Sequence, residues 1–231
     1  MIRANCRYLP MQILVVSATA LEIKPVISFL EHSNSDANIL ITGIGGAAAA
    51  FSLTDYCNKN TVDIIIQGGV AGYFKKDKLG EVFVISQETF ADLGVWENKK
   101  FKTVFDLQLE EKNKFPFKKG LLTNPYKKLL ALTKLKRVSA IGVNEITTDK
   151  KRIDWYKQNF SPVVESMEGA AFHYVCLQKK IPFLQLRAAS NYIGERNKSK
   201  WKMKEAIINL NKELIFLLSE LSDYDETHFR I

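Results

Sequence analysis

The chain has 231 residues, 46% of them hydrophobic and 25% charged, with a net charge of +8. That is enough apolar material for one well-buried core, and it excludes a disordered or low-complexity chain. The charge comes largely from scattered lysine pairs such as Lys75-Lys76 and Lys127-Lys128, a solvated surface and not a basic stripe, which sets nucleic-acid binding aside.

The opening "MIRANCRYLPMQILVVSATAL" imitates a signal peptide, with Arg3 and Arg7 before an apolar run and Ala18-Thr19-Ala20 resembling a cleavage site. Its apolar core spans only Ile13 to Val16, however, and suits a first strand feeding the helical pattern "ALEIKPVISFLE". The expectation is therefore a cytoplasmic domain over 11–222, with an irregular extension at 1–10 (Met11 being an alternative start) and a polar tail at 223–231. Further strands are expected at Ile39–Ile41, Asp63–Gln67, Val82–Ser86, Val138–Val143 and Phe183–Ala188. Helices are expected at Thr19–Phe29, Ala47–Cys57, Asn124–Leu132, Met167–Lys179 and Lys200–Leu221. Strands alternating with helices predict an α/β layer fold with a mostly parallel central sheet. The longest apolar runs are too short to span a membrane. Cys6, Cys57 and Cys176 are odd in number and widely spaced, which suits a reducing compartment and gives no disulfide framework. His32, His173 and His228 are isolated and read as structural or surface residues, with no metal spacing.

Five stretches could carry chemistry. In "ITGIGGAAAAF", Gly43, Gly45 and Ala48 fit a dinucleotide-binding turn. The next strand lacks the terminal acid that would hold a ribose, so a nicotinamide oxidoreductase is disfavoured and a close backbone approach to some ligand remains. "IIIQGGVAGYF" is a second glycine-rich strand end. Two such ends in one chain suggest a shared crevice. "VVESMEGAAFHYVC" places Glu165 and Glu168 ahead of an apolar helix, where Ser166 could cap and Glu168 could favour the helix dipole. Glu22, just inside the first helix, could act as a general base toward water. Finally, "LQLRAASNYIGER" ends an apolar strand in Arg187, Ser190 and Asn191. An asparagine there cannot supply a proton.

Taken together, "VVSATALE", "TGIGGAAAA", "QGGVAG", "ESMEGAAFHYVC" and "PFLQLRAASN" resemble the nucleoside phosphorylase/hydrolase superfamily, in the family's order from about Met11 to the final helix. They are most similar to its nucleosidase branch, the methylthioadenosine/S-adenosylhomocysteine nucleosidases and futalosine hydrolases. The block "SMEGAAFHYVC…IPFLQLRAASNYIGERNKSKW" points to the latter. The resemblance implies a three-layer α/β sandwich around a mixed, partly closed sheet, and hydrolysis of the bond between ribose and a purine. It implies a small-molecule nucleoside substrate, no cofactor, no metal, no membrane or nucleic-acid partner, and a homo-oligomer, dimeric or larger.

By the same resemblance, Glu22 would position and deprotonate water. Glu168 would grip the ribose hydroxyls, and Met167 would pack beneath the sugar. Asn191 would contact purine N7, where adenine-specific members carry an aspartate. An amide can donate to both N7 and O6 of hypoxanthine, though it can also pair with adenine. Ser190 and Arg187 would support this strand end, the buried guanidinium needing a partner such as a carboxylate. Ile44, the run Gly69, Val70, Ala71 and Gly72, and the backbone at Ile146 would wall the pocket, with Trp201 over the 5′ side of the sugar. Phosphorylases hold phosphate with cations in loops that here read "SATALE" and "QGGVAG", without Lys or Arg, so water is the expected nucleophile. Futalosine carries a benzoate beyond its ribose, which Arg196, Lys198 or Lys200 could pair.

Overall fold

The computed structural model describes residues 11–33, 37–98, 100–222, 224 and 228–229. The extension expected at 1–10 and most of the tail lie outside the described residues. Phe229, in that tail, is buried against the main core.

The first strand, β1 (Ile13–Ser17), is buried along its whole length and pairs in parallel with β2 (Asn38–Ile41) on one side and β3 (Ile64–Tyr73) on the other. Continuous apolar runs such as Ile64–Ile66 fit strands covered on both faces. The alternation of β3 shows what covers them. Gly68 meets Leu214 of α6 (Met203–Leu221), while Gly69, facing the other way, meets the guanidinium of Arg187. Thus α6 packs on one face of the sheet, and α1 (Lys24–Glu31) packs on α6. Helices α2 (Gly46–Lys59) and α5 (Gly169–Lys179) pack on each other, α5 also lying against the sheet.

The remaining strands close the sheet on itself. After β4 (Val82–Glu88) come a small separate hairpin of β5 (Gly94–Glu97) and β6 (Lys100–Thr103), the short β7 (Leu122–Thr123) paired to β4, and α3 (Lys127–Leu132). Then follow β8 (Lys136–Gly142), α4 (Lys150–Phe160), β9 (Val164–Ser166) and β10 (Phe183–Tyr192). The order β10-β4-β8-β9-β3, with β3 also bonded to β10, makes a five-stranded ring. Its interior is filled by Ala71, Tyr73, Phe83, Ile85, Val138, Ala140, Val164 and Ala189. Five pairings are parallel, and β10–β4, β3–β9 and β4–β7 are antiparallel. The fold is the mixed, partly closed α/β sheet that the resemblance implied.

Two departures from the expected elements matter for the site. Strand β3 runs six residues past Gln67, because it changes partners. Its first half pairs with β1 up to Val16↔Gln67, and its end pairs with β9 at Gly72↔Glu165. Between those registers one edge of β3 has no strand beside it. Strand β10 likewise runs past Ala188 to Tyr192, so Asn191 lies within the sheet and not in a loop beyond it.

Candidate active site

The unpaired edge of β3 is filled by a side chain. Glu22 Oε1 accepts a hydrogen bond from the amide of Val70 at 3.0 Å, and Oε2 accepts from Thr19 N (3.2 Å), Thr19 Oγ1 (2.9 Å) and Ser17 Oγ (3.3 Å). This corrects the expected helix. Glu22 stands in a turn, and α1 starts only at Lys24, with Pro25 in the first turn where its missing N–H costs nothing. The cap comes from α6. Buried Asn211 accepts from Val26 N at 3.1 Å and donates to the Glu22 carbonyl at 2.8 Å, tying the backbone of Glu22 to that helix.

Glu168 comes from the far side of the gap. The Gly169 amide is taken by Ser166 Oγ at 3.2 Å, so Ser166 does the capping and Glu168 is free of it. Its Oε1 reaches instead across to the Gly45 amide, at 2.9 Å. Gly45 has φ +94°, which turns that amide outward ahead of α2. The N-terminus of α2 is thus already occupied by a protein carboxylate, where a dinucleotide fingerprint would seat a pyrophosphate. This weighs against the nicotinamide reading.

Beneath both lies Arg187, 1% exposed. It donates to Gln67 Oε1 at 2.9 Å and stands 3.9 Å from Glu168 Oε2, an ion pair held by charge and not by a hydrogen bond. The absent side chain of Gly69 makes room for this guanidinium, so that glycine admits a protein group and not a ligand. Below it, Gln185 Nε2 donates to fully buried Glu88 at 3.0 Å. Burial pushes the Glu88 carboxyl up to about 7, against the lowering pull of Gln185 and Arg187. Nearby His173 donates from Nδ1 to the Leu122 carbonyl (3.1 Å), and burial drives its pKa down to about 3, so it is neutral and structural.

Asn191 reaches the cleft through a bulge. Ala189 pairs with Ala71 and Asn191 pairs with Gly72, which leaves Ser190 as an extra residue. In regular register Ser190 would oppose Gly72, and Asn191 would face the ring interior with Tyr73. The bulge reverses this and aims Asn191 outward. Ser190 Oγ braces the bulge by donating to the Ala71 carbonyl at 3.2 Å and lying 2.8 Å from Asn191 Oδ1.

These groups surround one cleft of about 330 Å³. Of the residues named from sequence, Glu22, Ile44, Val70, Ala71, Gly72, Ile146, Met167, Glu168, Ser190, Asn191 and Trp201 line it. Gly69 and Arg187 do not, lying directly beneath. Of the three basic residues after Asn191, Arg196 lines the cleft with its guanidinium 5.8 Å from the centre of the Trp201 ring. Lys200 is paired with Glu195 at 2.7 Å, and Lys198 stays on the surface. Sequence reasoning missed Thr19, Glu165, Ile193, Met203 and Ile207 in the wall. Only Glu165 left a signal, as a charged residue in an apolar strand.

A family model described as "Phosphorylase superfamily" matches residues 25–219. A futalosine hydrolase of Thermus thermophilus is 34% identical over 185 residues, 78% of this chain and 80% of the relative. Two solved structures share the fold. A Helicobacter pylori 5′-methylthioadenosine/S-adenosylhomocysteine nucleosidase (TM-score 0.76, 19% identity) covers 91% of this chain and 99% of its own. The futalosine hydrolase of the same species (TM-score 0.73, 18% identity) covers 91% and 98%. With its sequence matched from α1 almost to the end of α6, on a fold shared with these enzymes, the chain belongs to the phosphorylase superfamily.

Proposed function

We propose that this protein is a nucleosidase that hydrolyses the N-glycosidic bond of futalosine, releasing hypoxanthine and dehypoxanthinyl futalosine. The observation that carries the reading is a cleft that brings the carboxylates of Glu22 and Glu168 together at the opening of the sheet, with an amide, Asn191, turned into it by the Ser190 bulge. The identity to the Thermus thermophilus futalosine hydrolase supports the choice of substrate.

Each group suits one part of the reaction. A glycosidic bond to a purine breaks through a cationic, oxocarbenium-like sugar, which a nearby carboxylate stabilises. Glu168, steadied by Gly45 and Arg187, supplies that charge and accepts from the ribose hydroxyls. Glu22 orients the attacking water and takes its proton. Met167 and Trp201 give the sugar apolar surfaces, and Asn191 donates to the acceptor edge of the base. Among the described residues lining the cleft, Arg196 is the one cation, and it stands beside Trp201. A phosphate at the Glu22 end would meet a carboxylate there, so water is the nucleophile.

Two measurements check this. Futalosine, inosine and methylthioadenosine assayed side by side should show the highest kcat/KM for futalosine. Turnover of methylthioadenosine alone would overturn the proposed substrate. Arg196→Ala should raise KM for futalosine about tenfold, the loss expected for one partly solvated charge-assisted bond to its carboxylate, and leave inosine unchanged. An equal KM for futalosine in the variant removes Arg196 from that role.

A further inference from the structure

We propose that Glu165 is the acid that gives the departing purine its proton. The inference rests on the nucleosidase reading and addresses a step which that reading leaves without a donor. Asn191 has no proton to give. Glu22 is committed to four donors and Glu168 to Gly45 and Arg187.

The strand registers place Glu165 where a donor is needed. Glu165 pairs with Gly72, and Gly72 pairs with Asn191, so the three stand in one row across β9, β3 and β10 and share a face. Two strand spacings put Glu165 and Asn191 about 10 Å apart at their α-carbons. Between them Gly72 carries no side chain. The tip of Ile193 lies against it instead, an apolar floor flanked by two polar groups. A planar base resting on that floor presents one edge to Asn191 and another to Glu165.

The carboxyl itself is in an unusual state. Glu165 lines the cleft yet is only 5% exposed, and its Oε2 has no hydrogen-bond partner among the described residues. Buried polar atoms are nearly always partnered, so an orphan on the wall of a cleft points to a ligand. Burial first, and the negative charge of Asp92 second, push the carboxyl up to about 7. Among the described residues, the other groups facing this position supply no compensating cation. Asp92 is held by the amides of Asn144 and Glu145, and Tyr156 of α4 has its phenol raised by burial. Arg152 of the same helix is spent on Glu145 at 2.8 Å. Near neutrality Glu165 therefore holds a proton that it can release.

The step balances. As the C1′–N9 bond breaks, its electron pair stays on the base and the Glu165 proton passes to a base nitrogen. Water adds its oxygen to C1′ and loses a proton to Glu22. Glu22 then releases that proton to solvent and Glu165 takes one up, so nucleoside and water give the ribosyl product and neutral base.

The test is Glu165→Gln and Glu165→Asp beside wild type, on whichever of the three nucleosides the wild type turns over. Glu165→Gln should lose at least about 100-fold in kcat, with KM changed less than about threefold. Wild-type kcat should fall as pH rises through about 7, and Glu165→Gln should lack that limb. Glu165→Asp should recover part of the rate. A Glu165→Gln enzyme with wild-type kcat, or one that keeps the alkaline limb, overturns the inference. So does a wild-type kcat that is flat across that range, which needs no variant to fold. Wild type inactive on all three nucleosides overturns the nucleosidase reading instead.

Discussion

Replacing Glu22 with glutamine is expected to cut kcat by about 10²–10⁴-fold, the usual contribution of a general base, while leaving nucleoside binding nearly intact. The carboxylate bridges the turn after β1 and the free edge of β3 through Thr19, Ser17 and Val70. Glutamine is the same size and keeps one acceptor, so the bond from Val70 can survive. Its NH2 must then face the Thr19 amide, a local conflict that repositions the side chain without unfolding the domain, because the backbone of Glu22 is still held by Asn211. Steady-state kinetics with futalosine, paired with calorimetric binding of hypoxanthine, separate the two effects. A variant whose kcat stays within threefold of wild type removes Glu22 from the chemistry.

Arg187→Met is expected to destabilise the folded protein by about 3–5 kcal/mol at neutral pH, the cost of breaking a buried pair from one side. Methionine replaces much of the stem, so the loss is electrostatic more than a matter of packing. Glu168 loses the cation paired with it, and Gln67 Oε1 loses its donor. Glu88 loses a charge that holds its carboxyl down. The sign with pH follows from Glu88. Its folded-state value, about 7, lies above the unfolded one, so the folded state binds more protons and ionising the group costs stability as pH rises toward 7. Without Arg187 that cost grows, and the deficit should be larger at pH 8 than at pH 5.5. Urea unfolding at the two pH values measures it. Equal stability of variant and wild type at pH 8 would show that the guanidinium is not what balances these carboxyls.

Much of the architecture could be read from the chain, because the central strands are continuous apolar runs and the long helices carry clear periodicity. The elements that escaped are those without such patterns. Helix α4 is strongly polar, β9 is three residues long, and strands β5 and β6 are exposed on every residue except Phe101 and Thr103. Within the site, residues on conspicuous glycine-rich or acidic stretches could be picked out, but their directions could not. Glu22 looked like a first-turn helix residue because nothing local reveals that its carboxylate bonds to Val70, 48 positions away. The Ser190 bulge is likewise invisible in "RAASN", since an extra residue exists only relative to a partner strand. Met203 and Ile207 read as one side of an amphipathic helix, and only packing decides that this side also borders a cleft.

The gap in the sheet has one more consequence. Along most of β3 a backbone amide reports on the backbone of its neighbour, but the amide of Val70 reports on a side chain. Its proton is therefore an internal gauge of the Glu22 carboxylate, carried by the most central strand of the molecule. Whatever perturbs that carboxylate, whether a water, a sugar or a proton, is registered at a backbone atom 48 positions away along the chain.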